Sequence, residues 1–435
     1  MKLPAEVRQA LDHAWNREVA QNSMERWLGL CRKEGWKNTP RNLPLLTRIF
    51  GASWYFTRFV FVNANDIANV IDQEPPGDMS AESCSVMLEE ALEGKDLETC
   101  LERLRILKNR IMLQILIAFL NHVFDQARTE YLLTCLAEAT LRITARLFRL
   151  IREYSSNAVT ILGMGRMAGY EMTFGSDLDI IFLYDGSGDD LDVQTEKQIR
   201  ALLRHIALQT QMGVLYDVDM RLRPHGNAGV LVTSYKSFLE YHSRERDIWE
   251  RQMMTRCRPV LDVSDDTRNL MEKVNRQIYA NYEDGSLRSE IAAMRKRVQK
   301  ELGSPSGKYE IKRGRGGIMD IDFITHYYQL AYGHEQDELQ TASTRSVLQL
   351  ASILGFLDSV ESDRLLASYN FLKQVEMSLR LFDMKSVSAF PSEPGANTAL
   401  ARAMGYKDGE EERFIHRYKS VTNSVRESFD AVMQV

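Results

Sequence analysis

Cysteine is scarce and scattered in this sequence. Cys31, Cys84, Cys100, Cys135 and Cys257 are odd in number and form no CxxC pair. That excludes a disulfide framework and a zinc-ribbon site, and it fits a reducing compartment. Long apolar runs are also missing: the longest, Ile115–Leu120, falls far short of the roughly 20 residues a membrane-spanning helix needs. Residues 1–20 are charged and polar, without the apolar core of a secretory signal. Nor is positive charge in excess. Lys and Arg number 55 against 60 Asp and Glu, for a net charge of −5, which argues against a long nucleic-acid groove. The absences together predict a cytoplasmic protein with no membrane and no nucleic-acid partner.

What remains is an ordinary globular composition, 44% hydrophobic and 26% charged over 435 residues, enough chain for about two or three domains. Three regions differ in texture. Residues 1–152 read as a helical domain, because Leu97, Leu101, Leu104, Ile111, Ile115 and Phe119 recur on one helical face. Leu133, Leu136, Thr140, Ile143, Leu147 and Leu150 form a second such face, and Pro75-Pro76-Gly77-Asp78 marks a loop.

After Ser155-Ser156-Asn157 the pattern becomes strand-like. Val159–Leu162 runs into a Gly163-Met164-Gly165 turn, and Leu178–Tyr184 is apolar enough for a strand covered on both faces. A helix is predicted between 193 and 212 and a third strand over Val214–Arg223. Residues 153–264 are therefore a compact α/β unit. Residues 265–435 read as helical again, with stripes at Met294, Val298 and Leu302 and at Leu348, Ala351, Leu354 and Leu357. The fold class is α+β: a small mixed sheet flanked by N-terminal and C-terminal helical domains.

The chemistry gathers in the central unit. Asp177 and Asp179 sit two apart at the head of the second strand, so both carboxylates leave one face, with α-carbons roughly 6.6 Å apart. Two such acids raise each other's pKa unless a cation lies between them, and oxygen ligands suit Mg²⁺ or Mn²⁺. In the predicted third strand Asp217, Asp219, Arg221 and Arg223 share a face opposite Tyr216, Val218, Met220 and Leu222. Asp219 would complete a two-metal site. Gly163, Gly165 and Gly169, then Gly175-Ser176, offer positions where backbone N–H groups approach phosphate. Arg221 and Arg223 are candidates for phosphate oxygens or for plain charge balance. Lys312, Arg313 and Arg315 flank Gly314, Gly316 and Gly317 in a basic loop able to close over a triphosphate or simply to face solvent. Asp320 and Asp322 read as the start of a helix, supporting the site from behind its metal ligands at most. His225 reads as a turn residue, Trp249-Glu250 as a packed, salt-bridged domain junction, and Tyr327-Tyr328 as helix core.

A glycine turn, a DxD on one strand and a later third acid resemble the nucleotidyltransferase superfamily that includes DNA polymerase beta. Segments 161–185, 215–234, 249–260 and 310–329 more closely resemble the glutamine synthetase adenylyltransferase family, which adds AMP to that enzyme and removes it again. The helix at 101–115 is similar to the one that precedes that family's catalytic unit. Two departures stand out. Family members carry two modules, whereas this chain has room for one, as a single-module relative or half of a tandem protein. Arg166-Met167-Ala168-Gly169 stands where Lys-Leu-Gly-Gly is usual.

The resemblance implies that Asp177, Asp179 and Asp219 bind metal and act on ATP, that a tyrosine of glutamine synthetase is the acceptor, and that the PII signal protein is a possible partner. Gly175-Ser176-Asp177-Leu178-Asp179, Asp217, Ala228-Gly229 and Leu231-Val232-Thr233-Ser234 resemble the transferring type. Met220 is shared with the AMP-removing type, and the motif positions match the removing half of a tandem enzyme. Phosphorolytic removal of AMP and a non-catalytic regulatory module therefore stay open beside transfer. An RNA or antibiotic nucleotidyltransferase is disfavoured by the acidic charge and the helical flanks.

Overall fold

The computed structural model describes residues 3–34, 43–71, 77, 79–151, 159–186, 191, 193–243, 247–261, 264–280, 286–303 and 306–434. The loop expected at 75–78 and the texture change at 155–157 lie outside the described residues, Gly77 excepted.

Both long periodic faces are helices. Leu97–Leu120 starts at Asp96, whose carboxylate accepts from the Thr99 N–H at 3.0 Å, and Gln126–Leu147 starts at Asp125, which accepts from the Arg128 N–H at 2.7 Å. Such caps satisfy N–H groups that the first helical turn leaves without partners. Leu101, Leu104, Ile111 and Ile115 are buried, as are Leu133, Leu136, Thr140 and Ile143.

Among the described residues the central sheet has five strands, β1 (Val159–Met164), β2 (Leu178–Tyr184), β3 (Val218–Asp219), β4 (Val232–Ser234) and β5 (Cys257–Leu261). The order is β3-β2-β1-β5, and β4 also pairs with β2. β1 lies antiparallel between β2 and β5, while β3 and β4 follow one another, parallel, along the other edge of β2. Leu178, Ile180 and Phe182 join a core shared with the N-terminal helices; Leu162, Met164, Ile181 and Leu183 join one shared with the C-terminal helices. β2 is therefore apolar on both faces because each faces a different helical layer.

The third strand is much shorter than expected. Only Val218 and Asp219 pair; the chain then turns, with the Arg223 N–H donating to Met220 O at 3.3 Å. The cause is local. The Asp219 carboxylate accepts from the Arg221 N–H two residues on, at 2.9 Å, an Asx turn that competes with a sheet ladder.

The C-terminal region is built on the helices Asp265–Ile278, Leu287–Leu302, Ile318–Tyr332, Thr344–Ile353, Ser359–Asp383 and Glu411–Met433, with a two-stranded sheet of β6 (Lys308–Glu310) and β7 (Ala389–Pro391). The stripe expected at Met294, Val298 and Leu302 is only half right. Leu302 is exposed, and the buried face is Leu287, Ile291 and Arg295. Arg295 pairs with Asp320 and donates to the carbonyls of Arg313 and Gly314 at 3.0 and 2.6 Å. A polar anchor thus replaces an apolar row and holds the basic glycine loop. In the second stripe Leu348, Ala351 and Leu357 are buried and Leu354 half-buried. Among the described residues no helix is long and apolar enough to cross a membrane.

Candidate active site

Strand β2 brings the acids together. Asp177 precedes its first residue, Asp179 is its second, and Asp179 stands in register with Asp219 on β3. Neighbouring parallel residues point to the same side at roughly 4.8 Å between strands. The acids share the sheet face turned to the C-terminal helices, since Ile181 and Leu183 continue that face. Burial pushes the Asp179 carboxyl up to about 6; Lys312 opposes this, and Asp219 and Asp177 add to it. Asp177 is raised by burial too, with Arg380 opposing. Gly165 makes room: it sits at φ +54°, where a Cβ would lie 3.2 Å from an Asp179 oxygen.

Asp219 is different. Arg221 forks onto both of its oxygens and holds its carboxyl below the usual range. Among the described residues no three Asp, Glu, His or Cys side chains are gathered closely enough to hold a metal as they stand. The donor set still fits a hard cation. Asp177 and Asp179 are half-buried acids without a full counter-charge, and the Arg221 guanidinium stands in for a cation on the third. That guanidinium is 72% exposed, free to swing away. An open cleft of about 500 Å³ adjoins the site, lined by Asp177, Asp217, Asp219, Arg221, Arg223 and Asn227 with Leu203 and Ala207.

The expected phosphate-binding residues divide. Gly163 is a strand residue paired with Ile180 and Arg258, and a Cβ there would meet Val260 at 2.8 Å. The Gly165 N–H is spent on Arg256 O at 2.9 Å. Both glycines therefore serve close packing, and the GxG forms no open cradle. Gly175, at φ +66°, lies against the Met384 backbone, and the Ser176 hydroxyl accepts from the Thr173 N–H at 3.0 Å. Arg223 points into its own loop, donating to Met220 O at 2.9 Å and Gly229 O at 3.4 Å. Lys312 is the residue best matched to the expectation. Burial lowers its pKa, and its charge opposes the raised carboxyls of Asp179 and Asp177.

Other readings resolve simply. His225 is a left-handed turn residue against Tyr241, and Tyr327 and Tyr328 are buried. Glu250 is buried and accepts from the Tyr241 hydroxyl, but Trp249 is 42% exposed, so it does not pack a junction. Asp320 and Asp322 do open the Ile318–Tyr332 helix, and both are buried.

Apart from Asp322, sequence reasoning missed the groups that support the site from a distance. Arg166, Arg256, Glu171, Asp322 and Tyr369 form one buried network across β1, β5 and the C-terminal helices, including Arg166–Asp322 at 2.9 Å and Arg256–Asp322 at 2.9 Å. Burial alone would raise the Glu171 and Asp322 carboxyls; the two arginines bring each down to about 2. Arg380, on the Ser359–Asp383 helix, reaches Thr173 Oγ1 at 3.2 Å and Ser176 Oγ at 3.3 Å. Arg166, Glu171, Arg256 and Asp322 lie within the segments 161–185, 249–260 and 310–329, but their pairing, like that of Arg380 and Thr173 across 207 residues of sequence, follows no spacing rule.

The sequence that builds this sheet matches known proteins. Residues 43–273 match the glutamate-ammonia ligase adenylyltransferase family, and residues 285–433 match the GlnD PII-uridylyltransferase family. The first match covers more than half of the chain, and the chain belongs to the glutamate-ammonia ligase adenylyltransferase family. Three curated relatives are each named bifunctional glutamine synthetase adenylyltransferase/adenylyl-removing enzyme. The one from Methylococcus capsulatus is 31% identical over 289 residues, 65% of this chain and 30% of the relative. The Idiomarina loihiensis protein is 33% identical over 309 residues, 66% of this chain and 32% of the relative. The Bradyrhizobium diazoefficiens protein is 32% identical over 288 residues, 63% and 28%. The matched region is thus less than a third of those relatives' length.

Proposed function

We propose that this chain transfers AMP from ATP to a tyrosine of glutamine synthetase and so regulates nitrogen assimilation. The observation that carries the reading is the register pairing of Asp179 with Asp219 beside Asp177, with Lys312 close enough for its charge to oppose the raised pKa of Asp179. Asp177, Asp179 and Asp219 would hold Mg²⁺ or Mn²⁺, which supplies the positive charge that lets three carboxylates and a polyphosphate share one cleft. The tyrosine oxygen forms a bond to the α-phosphorus, the bond from that phosphorus to the bridging oxygen breaks, and pyrophosphate leaves. The hydroxyl proton passes to an Asp219 oxygen once Arg221 has released it. Lys312 neutralises charge on the departing phosphates, and Arg221, swung from Asp219, meets a phosphate oxygen with its fork. The free cysteines, four of them buried, suit a reducing cytoplasm.

Removal of AMP is the second reading, favoured by Met220 and by the bifunctional names of the relatives. There an oxygen of inorganic phosphate bonds to the AMP phosphorus, the bond from that phosphorus to the tyrosine oxygen breaks, the tyrosine takes up a proton, and ADP is released. One assay separates the two. Glutamine synthetase, α-labelled ATP and Mg²⁺ are incubated with the chain, and label on the synthetase supports transfer. ADP released from adenylylated synthetase with phosphate, without label incorporation in the forward assay, assigns removal. No reaction in either direction overturns both.

A further inference from the structure

Each acid-bearing strand is entered through a segment that a flanking helix holds. Ahead of Asp177, the turn from Thr173 to Ser176 closes on itself, with the Ser176 N–H donating to Thr173 O at 3.2 Å. Arg380 fastens it from the C-terminal region through both hydroxyls. The other arms of that guanidinium are engaged: Nε donates to Val387 O at 3.3 Å, and Nη2 pairs with Glu376 Oε1 at 3.0 Å. With Arg380 only 6% exposed, its direction is fixed. The chain just past the same helix seats against Gly175, where a Cβ would lie 2.7 Å from the Met384 carbonyl carbon.

The opposite side repeats the arrangement from the N-terminal region. Three buried side chains of the Leu97–Leu120 helix grip three carbonyls of the segment that leads to Asp219. Arg105 donates to His205 O at 2.9 Å, Asn109 to Met212 O at 2.8 Å and Lys108 to Val214 O at 3.3 Å. The Leu178 N–H then donates to Asp217 O at 2.8 Å, joining the two strands between the acids. Burying a lysine, an arginine and an asparagine is costly unless each is hydrogen-bonded. Apolar side chains would fill that space at less cost if packing were the only need.

We propose that Arg380 and Asn109 are positioning residues of the nucleotidyl-transfer site, fixing where Asp177 and Asp219 stand, so that each helical region sets one of the acids. The inference rests on the proposed function for its meaning, but metal binding tests it without turnover. A guanidinium that merely neutralised Asp177 would, when removed, let a divalent cation bind more tightly. One that places the carboxylate would, when removed, make binding weaker. The sign therefore decides.

The experiment titrates Mn²⁺ into the full chain without nucleotide and follows free Mn²⁺ by electron paramagnetic resonance, alongside melting curves. Arg380→Gln and Asn109→Ala are each expected to weaken binding about 10-fold to 100-fold, the range found when partners behind metal ligands are removed. Arg380→Lys keeps the charge but loses the fork, and is expected to weaken binding by less. Arg402→Gln is the control. It breaks the 2.6 Å pair with Asp408 and the 3.3 Å bond to Trp15 O, touches neither segment, and should leave Mn²⁺ affinity unchanged whatever its effect on the melting temperature. Binding that is unchanged or tighter in Arg380→Gln and Asn109→Ala overturns the proposal; should either fail to fold, Arg380→Lys and the remaining variant decide. Wild-type chain that binds no Mn²⁺ also overturns it. Wild-type chain that binds Mn²⁺ but neither adds nor removes AMP overturns the proposed function alone.

Discussion

Asp179 is held in a position that favours its proton. Burial and two neighbouring carboxylates raise its pKa from the usual 3.8 to about 6 despite Lys312. The folded chain thus binds this proton more tightly than the unfolded one, and stability falls as pH rises from 3.8 to about 6. Asp179→Asn should therefore raise the melting temperature of metal-free protein at pH 7.5, with the gain shrinking as pH falls towards 4. The same variant should lose the proposed adenylyl transfer by about 10²–10³-fold or more, checked by label incorporation. Arg221 makes the opposite case. Being 72% exposed, it should contribute little to the fold. Arg221→Ala is expected to keep the wild-type melting temperature and to raise the KM for ATP; an unchanged KM would assign this guanidinium to Asp219 alone.

At the scale of elements, legibility tracked how local the cause was. The Leu97–Leu120 helix and β2 were readable because their apolar pattern and their burial coincide. The side-by-side placing of Asp177 and Asp179 was readable because their two-residue spacing on a strand dictates it. The third strand was misread because alternation over 214–223 mimics a ladder, while one Asx hydrogen bond at Asp219 ends it. β4 and β5 have three and five residues, too short for periodicity to register. Arg380 and Asn109 carry no local signal, since their partners are set by packing between regions. Gly165 shows how an element's end can be tested. Gly165→Ala places a Cβ in a left-handed conformation beside Asp179, at a backbone cost of about 1–2 kcal/mol. A lower urea midpoint together with a larger loss of kcat than of stability is the expected result.

Across the whole molecule, the buried network joins the sheet to the C-terminal helices and sets the response to acid. Glu171 and Asp322 have folded pKa values of about 2 against 4.5 and 3.8. Their contribution is present above about pH 4.5 and is lost as pH falls towards 2. The urea midpoint should fall through that window, and Asp322→Asn should flatten the fall. Arg256→Ala leaves two buried carboxylates short of a partner and should cost about 3–5 kcal/mol.

The division of the sheet between two cores bears on how a gene for this protein can be cut. A fragment ending at residue 273, the limit of the first family match, would encode all three aspartates. It would also translate into a polypeptide that keeps Phe238 and Leu270 but lacks Ile318, Ile321, Ile324 and the other later members of the core that Leu162, Met164, Ile181 and Leu183 join. A core left open in this way invites self-association, so such a fragment is expected in the insoluble fraction. Its recovery should depend on co-expressing the rest of the chain.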